Sequence, residues 1–285
     1  MVTASVIPAE RQPPPRQTDE PWREEVADFA GSPERSLAPP TVRGLSAVDI
    51  LDLWERGQGR DLPERALLVL AAATAAPPHE LASLPIPVRD ALLFATRRLA
   101  CGDEIRAIVP CPECGERLEF TTSVTAITPA GPGNGAPFEF EVGRLRATIR
   151  PPTTADLLAT RGSPTAAVAR DELLARCLLS LERDREPLPF EHLDPAEVEA
   201  LAEAASDQAA LADIVLELAC AACDATWLSP FDIAAFLWEE LAAFAARLLP
   251  EVHTIATAYG WSEREILSLS PARRARYLEL IEAGP

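Results

Sequence analysis

Four cysteines fall in two pairs of identical spacing: Cys111 and Cys114 in "IVPCPECGERLEF", and Cys220 and Cys223 in "ELACAACDATWLS". Each Cys-x-x-Cys places two thiols on one tight turn, half of the tetrahedral shell that Zn2+ accepts without strain. Strand-like stretches flank both pairs, so the segments form a local repeat and each supplies the half-site the other lacks. Gly115 follows the first pair, where the turn must let backbone amides face the sulfurs, and Asp224 takes that place in the second. The separation is far longer than in a compact zinc ribbon, so the site is expected to be split by inserted elements. Two redox or disulfide pairs, or unliganded thiols, are the competing readings; in a reducing compartment paired cysteines favour a metal. Four equivalent sulfurs leave no open position for catalysis, which makes the expected zinc structural. Cys177, on an apolar helix face, and Cys101, at a helix end, read as core residues.

No other residues assemble into a reactive set. The three histidines, His79, His192 and His253, share no motif with a nucleophile or carboxylate, and no phosphate-binding loop, dinucleotide fingerprint or nucleophile elbow is present. The expectation is a protein that is not an enzyme.

The elements that must position the cysteines can be read from periodicity. Residues 1–42 are Pro-rich and charged, and read as a disordered tail or tether. The alternative there is a short helix over residues 22–29 that docks on a partner. Residues 43–102 read as a helical bundle: Ser46 with Asp49 resembles a capping box before "AVDILDLWERG", with Val48, Leu51 and Trp54 on one face. Pro63 and Pro87 each open a further helix. Residues 103–152 and 209–230 alternate as strands and form the two parts of the β-rich, zinc-knuckle region, with a hairpin around Gly143 over residues 138–150. Residues 153–208 read as a helical insertion. Its clearest helix spans residues 163–184, with Ser163 as cap and Leu173, Leu174, Cys177, Leu178 and Leu181 on one face. Residues 231–285 form a C-terminal helical module. The expected class is therefore α+β, mainly helical, with a split four-Cys zinc-ribbon-like β region, a helical insertion and a helical C-terminus.

The module's candidate partner-binding residues are Phe236, Trp238, Tyr259, Trp261, Arg273 and Arg274; a core role for the aromatics is the competing reading. Arg273, Arg274 and Arg276 could also be read as the recognition helix of a helix-turn-helix. A net charge of −18 opposes that reading, and with it nucleic-acid and anionic-membrane partners. All 26 basic residues are arginines. Neither a signal peptide nor an apolar run of spanning length is recognisable, so a cytoplasmic protein is expected.

The stretch "EVHTIATAYGWSEREILSLSPARRARYLELI" resembles the C-terminal segment of T-even-phage-type baseplate hub assembly chaperones and baseplate proteins. Shared features are a His-containing helix, an aromatic-Gly-Trp turn, an acidic Ile/Leu helix and an Arg-rich helix with Tyr. The two separated Cys-x-x-Cys pairs, and "RPPTTADLLA" between them, are similar to longer relatives from phage-tail-like contractile injection systems. The resemblance extends over about residues 44–283. It implies a non-enzymatic role in the baseplate, as a transient assembly chaperone or a resident subunit, with hub, spike or wedge proteins as partners. Short phage chaperones lack the knuckle region, which points to a different lifetime in the complex. The runner-up is a zinc-ribbon nucleic-acid-binding or regulatory protein.

Overall fold

A computed structural model describes residues 40–128, 135–210 and 214–284. The tail reading up to residue 39, including the helix over residues 22–29, lies outside the described residues. The class is α+β and mainly helical, with small antiparallel sheets.

Helix α1 (Ala47–Arg56) starts where the Ser46 hydroxyl accepts the Asp49 amide while the Asp49 carboxylate accepts the Ser46 amide, the reciprocal cap its sequence announces. Its buried face is Ile50, Leu51 and Leu53; Val48, expected inward, is exposed. Helices α2 (Leu62–Ala73), α3 (Pro78–Ala82) and α4 (Ile86–Cys101) follow, each with proline in its first turn. The long α9 (Ile233–Tyr259) crosses α1, α2 and α4, and the short α10 (Glu263–Leu267) and α11 (Pro271–Ala283) fold back onto it. Helix α9 runs through Pro250 without a break and ends at Gly260, whose φ of 69° suits a left-handed cap. Residues 43–102 and 231–285 thus contribute to one hydrophobic core, with Leu53, Leu70, Leu81 and Leu93 meeting Leu237, Leu241, Leu248 and Ile255. Gly57 makes the α1–α9 approach possible. A Cβ there would sit 1.9 Å from Trp238 Cη2, so the ring lies where a side chain would otherwise be.

A second core lies in the segment between the knuckles. Strands β3 (Phe138–Val142), β4 (Leu145–Ile149), β5 (Leu178–Arg183) and β6 (Glu186–Pro187) form one antiparallel sheet in that order. Helices α7 (Ala166–Cys177) and α8 (Pro195–Ala210) contribute Leu174, Cys177, Leu201 and Ala202 to its core. The hairpin around Gly143 is present, but it belongs to this sheet and not to the knuckles. The helix expected over residues 163–184 is corrected at both ends. Thr165, not Ser163, caps it, and it stops at Cys177 because residues 178–183 pair with β4. The insertion is therefore not wholly helical.

The stretch "RPPTTADLLA" joins the two cores. Helix α6 (Thr154–Ala159) is capped reciprocally by Thr153 and Asp156 and packs on α2. Asp156 also holds Arg150 (2.7 Å) and Arg176 (3.3 Å), while the Ile86 amide donates to the Pro152 carbonyl. Arg161, just beyond, pairs with Asp61 and Glu64 of the helical core.

Candidate metal centre

The cysteine pairs sit at the tips of two hairpins rising from the helical core. The first comprises β1 (Glu104–Pro110) and β2 (Arg117–Ser123); the second comprises β7 (Val215–Ala219) and β8 (Thr226–Pro230). Their turns match bond for bond. Cys111 donates its amide to the Glu116 carbonyl (2.8 Å) and Gly115 to Cys111 (3.0 Å); Cys220 donates to Ala225 (2.8 Å) and Asp224 to Cys220 (2.9 Å). Gly115 (φ 73°) and Asp224 (φ 56°) take the same left-handed turn. Glycine adopts it without cost and aspartate is among the few residues that tolerate it.

The two arms are anchored separately. Ile105 is fully buried in the helical core, and Val124 of the short helix α5 (Val124–Ile127) donates its amide to the Asp103 carbonyl at the base of the first arm. At the second base, Ile214 accepts from the Phe231 amide, and the Phe231 ring lies 6.1 Å from Phe94 and 5.2 Å from Phe236. Arg97, at 2% side-chain exposure, ties the first base to α9. Its guanidinium forks onto both Glu240 oxygens (2.9 and 2.8 Å) and donates to the carbonyls of Gly102 (2.8 Å) and Glu104 (2.6 Å). Burial works against its charge, but Glu240 outweighs it and holds the pKa above the usual value.

At the tips, Cys111 and Cys223 sulfurs are 3.7 Å apart, as are those of Cys114 and Cys220, and all four lie within 4.8 Å of one another. A tetrahedral shell with Zn–S bonds near 2.3 Å requires sulfurs about 3.8 Å apart. A disulfide requires about 2.0 Å, so the geometry fits a metal and not the disulfide reading. Cys111 and Cys220 are buried and Cys114 and Cys223 exposed, an arrangement with the approximate two-fold symmetry of the repeat. The amides of Cys114 and Glu113 pull the Cys111 thiol down to about 7. At Cys223 the Ala225 amide acts in the same direction, but the neighbouring sulfurs outweigh it and push the thiol up to about 12. Successive thiolates in so small a space repel one another, and a bound cation relieves that repulsion. These four are the one group of three or more His, Cys, Asp or Glu suited to a metal among the described residues.

The other sequence candidates fall in different surroundings. Cys177 is buried and its thiol is raised to about 11 by burial, in keeping with an inert core position. Cys101 is exposed, contrary to expectation, because it occupies the last turn of α4 beyond the packed face. Trp238 and Arg274 offer no docking surface. Trp238 packs over Gly57 with the Arg65 guanidinium 4.6 Å from its ring, and Arg274 is buried against Glu251 (3.2 Å) and the Leu269 carbonyl (2.8 Å). Phe236 is half-buried beside Phe231. Tyr259 is 40% exposed and stacks on Trp261, and Tyr277 meets both edge-on; Arg273 is exposed. Arg97 escapes the sequence reading, since one arginine among several in a helix carries no sign of a partner as distant as Glu240. The Thr153/Asp156 cap was readable as Thr-x-x-Asp.

The family model described as "T4 bacteriophage base plate protein" matches residues 60–236. Comparison with curated proteins and with solved structures finds no match. The matched residues include both knuckles and the Arg150–Asp156 joint, and stop short of the C-terminal stretch that carries the resemblance most visibly. Because the match spans more than half of the chain, the protein belongs to the T4 bacteriophage base plate protein family.

Proposed function

We propose that the chain is a non-enzymatic structural component of the baseplate hub of a phage-like contractile tail or injection system, its arms locked by a structural Zn2+. Family membership gives the coarser statement, a baseplate structural role with other baseplate components as partners. The observation that carries the finer reading is the convergence of Cys111, Cys114, Cys220 and Cys223 at the tips of two separately anchored arms. Four sulfurs fill a tetrahedral shell, which favours a structural over a catalytic metal. A metal-locked joint suits a subunit that stays in the particle; a transient chaperone of hub, spike or wedge proteins is the other version of the same reading.

The test has two parts. Metal analysis of the purified chain is expected to give one zinc, lost in Cys220→Ser; a metal-free wild type with all six thiols titratable on unfolding overturns the zinc. Quantitative mass spectrometry of purified particles is expected to find the chain at a fixed ratio to hub proteins. Its presence in assembly intermediates but not in finished particles identifies a chaperone, and its absence from both removes the hub reading.

A further inference from the structure

The two arms of the metal centre are near-copies, so each serves as an internal control for the other. Matching the cysteines aligns Val215 with Arg106, Glu217 with Ile108, Ala219 with Pro110, Thr226 with Arg117, Leu228 with Glu119 and Pro230 with Thr121. By register, the second arm's six residues share one face, opposite the half-buried Leu216, Leu218 and Trp227. All six are exposed: Leu228 at 70%, the highest among the exposed large hydrophobics, and Val215 at 47%.

The first arm's equivalent face is that of a solvated hairpin. Glu104, Arg106, Arg117 and Glu119 lie on it, Arg106 pairs with Glu104, and its one large apolar residue, Ile108, is half-covered. On the second arm, Arg106, Arg117 and Glu119 are replaced by valine, threonine and leucine, and Glu217 is the only charge among the six residues of this face. The cysteine spacing and the turn geometry match in the two arms and explain none of this difference. A surface of exposed Leu, Val and Pro on a two-stranded ribbon with open edges is costly to leave in water.

We infer that the outer face of β7–β8 is the docking surface for a different baseplate protein, which presents an apolar patch bearing an Arg or Lys opposite Glu217. A second copy of this chain is disfavoured as occupant, since each copy carries −18 and would bring another Glu217 to the same patch. The inference rests on the family-level reading that the chain contacts other baseplate components.

The experiment makes the second arm's face polar, Val215→Arg with Leu228→Gln, in the full-length tagged chain, and measures its incorporation into purified baseplate particles. The neutral amide avoids a second carboxylate opposite Glu217. Both side chains are exposed, so zinc content and thermal melting are expected to stay as in wild type, while incorporation falls roughly tenfold or more. The reciprocal pair on the first arm, Arg106→Val with Glu119→Leu, is expected to incorporate normally. Equal incorporation of the second-arm variant overturns the surface, whereas a wild-type chain missing from finished particles and assembly intermediates alike overturns the baseplate reading beneath it. A photo-crosslinking residue at position 228 keeps the proposal testable if the double variant misfolds: a crosslink to a different baseplate protein supports it. A crosslink to a second copy, or no crosslink in particles that contain the chain, overturns it.

Discussion

Replacing Arg97 by methionine keeps the stem and removes the guanidinium, and the structure sets the cost. The variant loses a two-pronged ion pair with Glu240 and two bonds to the Gly102 and Glu104 carbonyls. Breaking a buried pair by removing one partner costs about 3–5 kcal/mol when the other charge is left stranded. Here the stranded group is only partly buried: the Glu240 side chain is 25% exposed and can recover water. The two carbonyls belong to exposed residues and can do the same. The expected loss is therefore at the lower end, about 3 kcal/mol, against the 5–15 kcal/mol typical of a domain. In a chain of this size that lowers Tm by roughly 6–12 °C. Urea unfolding of wild type, Arg97→Met, Glu240→Gln and the double variant should give a coupling of about 1–3 kcal/mol. Arg97→Lys should not restore stability, since an ammonium cannot reach both carboxylate oxygens and both carbonyls from one position. Hydrogen exchange should also quicken at Glu104–Pro110, because Arg97 fastens the base of that strand. A loss below about 0.5 kcal/mol, or strict additivity with Glu240→Gln, would refute the reasoning.

Three other outcomes follow from the packing and the charges. Gly57→Ala should destabilise by about 1–3 kcal/mol, purely sterically because φ at Gly57 is an ordinary −84°, and Trp238→Phe in that background should cost less than in wild type; full additivity in melting experiments would argue against the contact. Burial disfavours the charge on Asp156, but Arg150 and Thr153 outweigh it and hold its carboxyl below the ordinary value of about 3.9. Its stabilisation is thus complete above that ordinary value and is lost as pH falls through the lower folded value, so Asp156→Asn should flatten the acid limb of the stability profile and lower the plateau. Metal removal should abolish exchange protection at both knuckles while α2 and α9 stay protected, because two-stranded hairpins are marginal alone and the helical core does not depend on the tips. A single transition of the whole chain on chelation would contradict that.

What the sequence disclosed was local. The cap at Ser46, the turn at Gly143 and the repeated knuckles all lie within a few residues of the groups that define them. The end of α7 was not disclosed. The spacing Leu173, Leu174, Cys177, Leu178, Leu181 satisfies a helix, yet residues 178–183 are claimed by β4, some thirty positions upstream. Burial of Trp238 and Arg274 was hidden for the same reason, since Gly57 and Glu251 occupy those places only after the chain has folded back. The cysteines were legible because the two halves repeat each other; their meeting at 3.7 Å was not implied by either alone.

The wide separation of the two knuckles sets a clock on biogenesis. The sulfurs that meet are 106 and 112 positions apart, so at about 5–20 residues per second the first pair leaves the ribosome roughly 5–20 s before its partners are made. During that interval two thiols stand without their complement, open to oxidants and to the wrong metal. Helices α1, α2 and α4 wait for α9 over the same stretch of synthesis, so their apolar faces are also uncovered. Completion of the last quarter of the chain brings the four cysteines together and closes the helical core almost at once, and a nascent chain stalled before Cys220 can complete neither.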